Sequence, residues 1–458
     1  RALVAGAGET VGLHLLSVVG ALAVALAAWA LATEADPKLA RAAFWIAATS
    51  PALVNGTIVW AHSLSAALAG GAVLAAVRIG RRGLRAGDAA ALAGCLVGGV
   101  LIRSEGLLVA VALVLVLGVV RLVRAGVRAG MAAAVVAGLP ALLAVEVENR
   151  WKARLIGMPA SMRGVRQDSG SYLTGRVTGV WHDFLSPHYL NARTGLIGSV
   201  ALAVIVFGAI LWRRQGPQAR GERDIAVALL VGMAVMVVNA VVSPGGTVTG
   251  LLAAWPLLLV GLVMWRWRPA SEVERMAMAI ALLVGLGVAA TTYPDGAGLN
   301  WGGRFLSPAI VPLAVVAAGA LRRALLAKPA RARIELTAVL VVVALVPALI
   351  GLASVRIVRS NAGAYIDEVV AAGAPVVVTD ESALPRAAWR APNIAWLLVP
   401  PDEVADALGR LRDSGFPRVA VIEGTDLPAS ALQDVRSVST VPAPRLRRAG
   451  YSVLVVAP

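Results

Sequence analysis

Leu101-Ile-Arg103-Ser-Glu105-Gly106-Leu-Leu-Val-Ala-Val-Ala-Leu-Val-Leu-Val-Leu-Gly-Val-Val-Arg121-Leu-Val-Arg124 reads as one membrane crossing. Residues 106–120 carry no charge, and Arg103 with Glu105 closes one end while Arg121, Arg124 and Arg128 close the other. A helix rises 1.5 Å per residue, so a run this short does not cross about 30 Å of hydrocarbon unaided. It has to borrow flanking residues or face protein rather than lipid. Outward from this stretch, similar runs recur at 10–32, 42–60, 62–78, 88–102, 131–147, 195–212, 225–243, 250–265, 276–292, 305–321 and 335–355, which makes twelve in all. The chain of 458 residues is 59% hydrophobic and only 15% charged. Soluble domains are roughly 45–50% apolar and about 25% charged. The runs explain the excess, identify an α-helical polytopic membrane protein and exclude most soluble enzyme classes.

Loop charge sets the expected orientation. One alternating set of loops holds 21 Lys and Arg residues, among them Lys38, Arg78, Arg81, Arg82, Arg124, Arg213, Arg214, Arg266, Arg322, Arg323 and Lys328. The intervening connections, such as 103–105, 243–249 and 293–304, are mostly neutral. The positive-inside rule makes the first set cytoplasmic. It places Arg1–Glu9 and the segment from Arg356 onward outside. The same rule explains most of the net charge of +16. No module of interleaved aromatic and basic residues points to nucleic acid as a partner. Cys95 is the only cysteine, which excludes a disulfide framework. Arg far outnumbers Lys, and Ala and Val dominate, as in a GC-rich bacterial genome.

The expected domains are a membrane domain, 1–355, and an extracytoplasmic α/β domain, 356–458. In the second, apolar runs ending in turn residues at 374–380, 394–399 and 418–423 read as strands. Residues 437–441 and 451–457 supply two more, and Pro401 and Asp402 open an amphipathic helix that Gly415 closes. Strands alternating with helices predict a mostly parallel sheet.

Chemistry-bearing residues gather at the predicted outer ends of the spans. Arg103 can hold a phosphate in a bidentate fork, with Glu105 orienting it or a sugar hydroxyl. The same pair also suits a hinge that turns the chain. Trp301-Gly302-Gly303-Arg304 joins an aromatic face to a cation at the mouth of a span, which suits a sugar phosphate as well as an interface anchor. His62 at an external turn can act as acid, base or ligand, or as a helix cap. The loop 148–194 carries Arg150, Lys152, Arg154, Arg163, Arg166, Arg176 and Arg193 against Glu148, Asp168 and Asp183. That excess on the disfavoured side fits an anionic ligand, or a loop lying on anionic headgroups. The four histidines lack metal-ligand spacing, and none of the outer acids Glu9, Glu105, Glu148, Asp168, Asp183 and Asp295 forms an Asp-x-Asp or Asp-Glu pair.

Together these motifs resemble the bacterial members of the GT-C superfamily, integral-membrane glycosyltransferases that use polyprenyl-phosphate sugars. Arg103-Ser-Glu105-Gly106-Leu107-Leu108 is similar to the family's Arg-Pro-Glu-Gly-Leu, with Ser104 in the proline place. Asn149 followed by Gly157-Met-Pro159, Gly302-Gly303-Arg304-Phe305-Leu306-Ser-Pro308 and Trp60-Ala61-His62 continue the likeness in order over residues 1–355. The resemblance implies inverting transfer of a sugar from a polyprenyl-phosphate donor to a cell-envelope glycan or lipid acceptor, on the outer face of a bacterial membrane. It implies donor binding by Arg103, Glu105, Arg150, Lys152, Arg154, Arg163 and Arg304, with Trp301 and His62 at sugar or acceptor. Some relatives use a divalent metal, although no ligand set for one is visible here. The family's catalytic acid follows its first span. Gly8-Glu9-Thr-Val-Gly-Leu-His-Leu-Leu-Ser17 looks like the start of the second, so that acid is expected upstream of Arg1. Two other readings stand beside this one. One is a non-catalytic relative that binds a lipid-linked glycan. The other is a transporter or flippase of lipid-linked sugars, which calls for mid-membrane charges and broken repeats.

Overall fold

A computed structural model of the chain describes residues 9–58, 61–156, 172–187, 192–215, 221–243, 248–291, 301–379, 391, 393–399, 403–423, 437–440, 442 and 452–457. It divides into two compact units, Arg1–Ser354 and Val355–Pro458. The first is helical: α1 (Glu9–Ala35), α2 (Ala40–Ala48), α3 (Pro51–Gly56), α4 (His62–Arg82), α5 (Ala86–Ile102), α6 (Glu105–Ala125), α7 (Val127–Ile156), α8 (Tyr172–Phe184), α9 (Ala192–Arg214), α10 (Glu222–Val242), α11 (Leu251–Ala254), α12 (Pro256–Met264), α13 (Glu272–Thr291) and α14 (Ile310–Leu326). Helix α15 (Ala330–Ala371) carries the chain into the second unit.

Among the described residues nine helices are long and apolar enough to cross a membrane, and α5 is a shorter apolar helix. The chain is a polytopic helical membrane protein with a small C-terminal α/β domain. Outward faces remain apolar, as lipid requires. Val111, Leu115, Val119 and Leu122 line one such stripe on α6, and Met131, Val135, Leu139 and Leu142 another on α7. Two spans lie deep in the bundle: 67% of the α4 window and 72% of the span Arg304–Leu326 are buried.

Two of the twelve runs are not single helices. The expected span 42–60 breaks at Ser50-Pro51, where the Ser50 side chain caps α3 through the amide of Ala52. The expected span 250–265 breaks at Trp255-Pro256. Both places put a proline inside an apolar run, where it removes a backbone donor and turns the preceding residue away from the helical region. Each broken run still returns the chain. Glu34 near the end of α1 pairs with Arg78, Arg81 and Arg82 at the end of α4, so both helices finish on one face and α2 with α3 must cross between them. Similarly, Gly250 donates to the Ser186 carbonyl while Arg213 at the end of α9 donates to the Val263 carbonyl beyond the break. A third correction concerns the stretch from residue 148. Helix α7 continues to Ile156 and α8 occupies 172–184, so much of the expected loop is helical.

Charge fastens one end of the bundle. Arg124 on α6 pairs with Glu272 and donates to the Gly80 carbonyl, Arg322 pairs with Asp36, and Lys328 with Glu222. The most buried acid at this end is Glu274, 2% exposed, which Arg323 grips with both terminal nitrogens at 2.8 and 2.7 Å. Gly319 makes that possible: a β-carbon there would lie 2.5 Å from the Glu274 carboxyl carbon. Exposed ion pairs contribute little, but a desolvated bidentate pair is costly to break once formed.

The second unit is a five-stranded sheet of order β2-β1-β3-β5-β4, from β1 (Val376–Thr379), β2 (Ala395–Leu398), β3 (Val419–Glu423), β4 (Ser437–Thr440) and β5 (Ser452–Ala457). Pairing of β1 with β2 and β3 is parallel, with Val376 opposite both Ala395 and Val419. The pairs β3–β5 and β4–β5 are antiparallel, so the sheet is mixed rather than mostly parallel. Strands that run parallel need a long connection, and helix α16 (Val404–Asp413) lies in the one from β2 to β3, which flank β1. Each face has its own cover. Val377, Ala420, Ile422 and Val453 pack with Val369 and Ala372 from the end of α15. Val376, Val378, Val421 and Val456 pack with Val404, Leu408 and Leu411 of α16. Covering on both sides is what makes the strands continuous apolar runs.

Replacing Gly319 with Ala tests the buried pair. The added methyl group must displace Glu274 or the helix, at about 1–3 kcal/mol. Thermal unfolding of the detergent-solubilised chain should show a lower midpoint than wild type, and an unchanged midpoint would contradict the close contact.

Candidate functional site: an arginine clamp at three helix ends

Helix α5 ends at Ile102, and Arg103 adopts an extended backbone at φ −154° and ψ 139°. The Arg103 carbonyl accepts from the Gly106 amide at 3.0 Å as α6 begins. The tight connection points Arg103 and Glu105 at one another across two residues. The Arg103 Nε donates to Glu105 Oε2 at 3.0 Å, and Nη2 donates to Oε1. The Nη1 group lies 2.8 Å from His62 Nε2, at the first turn of α4. Glu105 and His62 are buried, and Arg103 is 18% exposed.

Protonation follows from this geometry. Arginine stays charged and only donates. His62 therefore takes part through a ring nitrogen that accepts, with Nη1 at 2.8 Å from Nε2 and 3.4 Å from Nδ1. Arg103 and Glu105 pair opposite charges, so together they carry no net charge. Of five guanidinium N–H groups, two face Glu105 and one faces His62, so two remain without a partner among the described residues. Held on three sides, Arg103 is a pre-oriented fork rather than a mobile surface cation.

The second cation motif is built on a tight glycine turn. Gly302 and Gly303 adopt φ values of +71° and +59°. The Gly302 amide donates to the Val248 carbonyl at 2.7 Å, and the Gly303 amide donates to that of Thr249. Side chains do not fit here: a β-carbon on Gly302 would overlap Pro51, and one on Gly303 would lie 2.5 Å from the Asp183 carbonyl oxygen. Arg304 follows at the start of a 3-10 turn, Arg304–Ala309, that packs against α4 and α6, the helices that begin with His62 and Glu105. Its guanidinium carbon lies 4.6 Å from the centre of the Phe305 ring, a cation–π contact.

The other candidate residues fall in different places. Trp301 is 2% exposed and packed against Gly351, where a β-carbon would lie 2.6 Å from its ring, so its indole holds the turn by packing. Arg150 pairs with Glu146 at 2.6 Å, and Lys152 with Glu148, each one helical turn back on α7. Arg154 is exposed near the end of that helix, and Arg163 lies outside the described residues. Among the described residues no three His, Cys, Asp or Glu side chains gather into a metal-binding group. Sequence reading missed Asn55, whose Nδ2 donates to the Trp301 carbonyl at 3.3 Å. The available signal was a lone amide in an apolar stretch beside a helix end.

No protein-family model matches the chain, and no curated protein sequence matches it. Two solved structures are similar. One is ArnT from Cupriavidus metallidurans in the apo state, 12% identical, covering 96% of this chain and 83% of that one at a TM-score of 0.39. The other is ArnT from the same organism bound to undecaprenyl phosphate, 12% identical, covering 97% and 84% at a TM-score of 0.38.

Gly303→Ala should disturb the turn that carries Arg304. The left-handed backbone and the contact with the Asp183 carbonyl together predict a loss of roughly 1–3 kcal/mol in stability. Thermal unfolding in detergent reads it directly, and a variant as stable as wild type would refute the turn geometry.

Proposed function

We propose that the chain transfers a sugar from a polyprenyl-phosphate donor to a cell-envelope glycan or lipid acceptor, with inversion, at the outer face of the membrane. The observation that carries this reading is the arginine clamp. A guanidinium held by Glu105 and His62 at the end of three apolar helices keeps two N–H groups for an anion. A lipid-linked phosphate is an anion whose tail keeps it at this depth. The motifs shared in order with GT-C glycosyltransferases support the same donor.

In this reaction the acceptor hydroxyl attacks the anomeric carbon, giving its proton to the carboxylate base that the GT-C resemblance implies, as the bond from that carbon to the phosphate oxygen breaks. The electron pair leaves with the phosphate, which gains a negative charge. Arg103 and Arg304 bind the group that gains it, and fixed donors aimed at developing charge are the usual source of such rate enhancement. Glu105 is committed to Arg103 by two charge-assisted bonds, so it acts as a positioning residue. His62 sets the other side of the fork. The orientation by loop charge puts the clamp and the α/β domain outside the cytoplasm.

The test uses the purified full chain with undecaprenyl phosphate, and a panel of polyprenyl-phosphate sugars for transfer. Undecaprenyl phosphate should raise the melting temperature of wild type and not of Arg103→Gln. Transfer should fall about 10²- to 10³-fold in Arg103→Gln, the usual cost of one such donor. Arg103→Lys should fare little better, because a point charge cannot hold three partners at once. Arg304→Ala should also lose transfer. Full transfer by folded Arg103→Gln would refute the assignment. Lipid binding by wild type without transfer of any sugar would favour a non-catalytic glycan-binding role.

A further inference from the structure

The opposite, cation-rich end of the bundle holds a cavity of about 460 Å³ between the ends of α9, α12 and α14. That is the size range of small-ligand sites. Arg213, Arg214, Arg266, Arg323 and Lys328 line it, and no acidic side chain does so among the described residues. Glu274 and Glu222 compensate Arg323 and Lys328 from outside the lining. Arg213 donates to the Val263 carbonyl, a neutral group. Neither it, Arg214 nor Arg266 shows an acidic partner among the described residues. Three like charges beside one cavity repel each other. An anion seated there relieves that repulsion.

We infer that this cavity binds the phosphate group of an anionic phospholipid. Guanidinium forks match phosphate oxygens in pairs, which favours phosphate over a lone carboxylate. Apart from Gln215 the rest of the lining is apolar and includes Trp212, Met264 and Ala320, which suits the glycerol and first acyl carbons that follow a headgroup. Depth agrees as well: the neighbouring Trp265 and Trp267 rings meet edge to face at 5.5 Å, and tryptophan is enriched at headgroup level. Basic pockets between membrane helices are known headgroup sites. The inference is independent of the transfer reaction, because it uses other residues at the other end of the bundle.

The test compares lipid affinity of the purified full chain in discs of phosphatidylcholine with and without cardiolipin, read by native mass spectrometry. Wild type should retain cardiolipin over phosphatidylcholine. The double variant Arg214→Gln with Arg266→Gln should bind it about 30-fold more weakly, roughly 1 kcal/mol for each cation removed. The paired Lys variants should keep most of the affinity, which separates charge from misfolding. Arg331→Gln, at an exposed cation of the same end paired with Glu335, should change nothing. Unchanged cardiolipin retention by the folded Gln variant overturns the inference, as does an equal loss in Arg331→Gln. Inorganic phosphate that stabilises wild type as strongly as cardiolipin would make soluble phosphate the ligand and overturn the lipid assignment.

Discussion

A charged side chain in a bilayer must sit at a helix end or beside a partner, and this constraint orders the membrane unit. Isolated charge at mid-bilayer costs at least about 2.5–3.5 kcal/mol, which a bundle avoids by sorting its ionisable groups to the two faces. Glu34, Asp36, Glu222, Glu272 and Glu274 therefore meet arginines and a lysine at one end, and Arg103 meets Glu105 at the other. Each pairing also fixes a direction. Once Glu34 binds Arg78, Arg81 and Arg82, α1 and α4 must run parallel, and the stretch between them has to cross back even though proline breaks it. The short α2 and α3 and the divided α11 and α12 are tolerated because the bundle surrounds much of them. Ala43, Ala47, Ala52, Leu251 and Leu258 are all buried.

The amino-acid sequence discloses the bundle well because hydropathy and charge are the quantities the membrane selects on. It discloses the breaks poorly. Pro51 and Pro256 interrupt their runs, yet Pro140 and Pro347 lie inside continuous helices, so proline alone does not decide between break and kink. The stretch after residue 147 offered a clearer signal. Glu146 with Arg150 and Glu148 with Lys152 stand one helical turn apart, a spacing that stabilises a helix, and α7 continues through them. In the C-terminal unit the five strand positions were legible from apolar runs. Their pairing was not, because parallel and antiparallel partners bury the same Val and Ile residues. Within the candidate site, the short separation of Arg103 and Glu105 shows in the chain itself. The contact with His62 joins residues 41 apart and depends on how α4 and α5 pack. Residue types at both places were suggestive, but only the fold brings imidazole and guanidinium together.

The two cationic regions differ in a way that bears on what each can do. Around the cavity at the cation-rich end, Arg213, Arg214 and Arg266 act as largely uncompensated charge, so they attract any anion at headgroup depth and their strength falls with salt. The Arg103 clamp is nearly neutral as a unit and gains little from long-range attraction. Its advantage is orientation. Two N–H groups already aimed by Glu105 and His62 lose little freedom when a phosphate arrives, and they respond most to charge that appears during bond breaking. Under the proposed transfer, a pre-oriented fork would bind a sugar-linked phosphate modestly and the departing phosphate more strongly, and only that difference accelerates a reaction. Under the proposed transfer, an additional cation must supply the initial attraction. Arg304, carried on the turn packed against α4 and α6, is the cation proposed for that role.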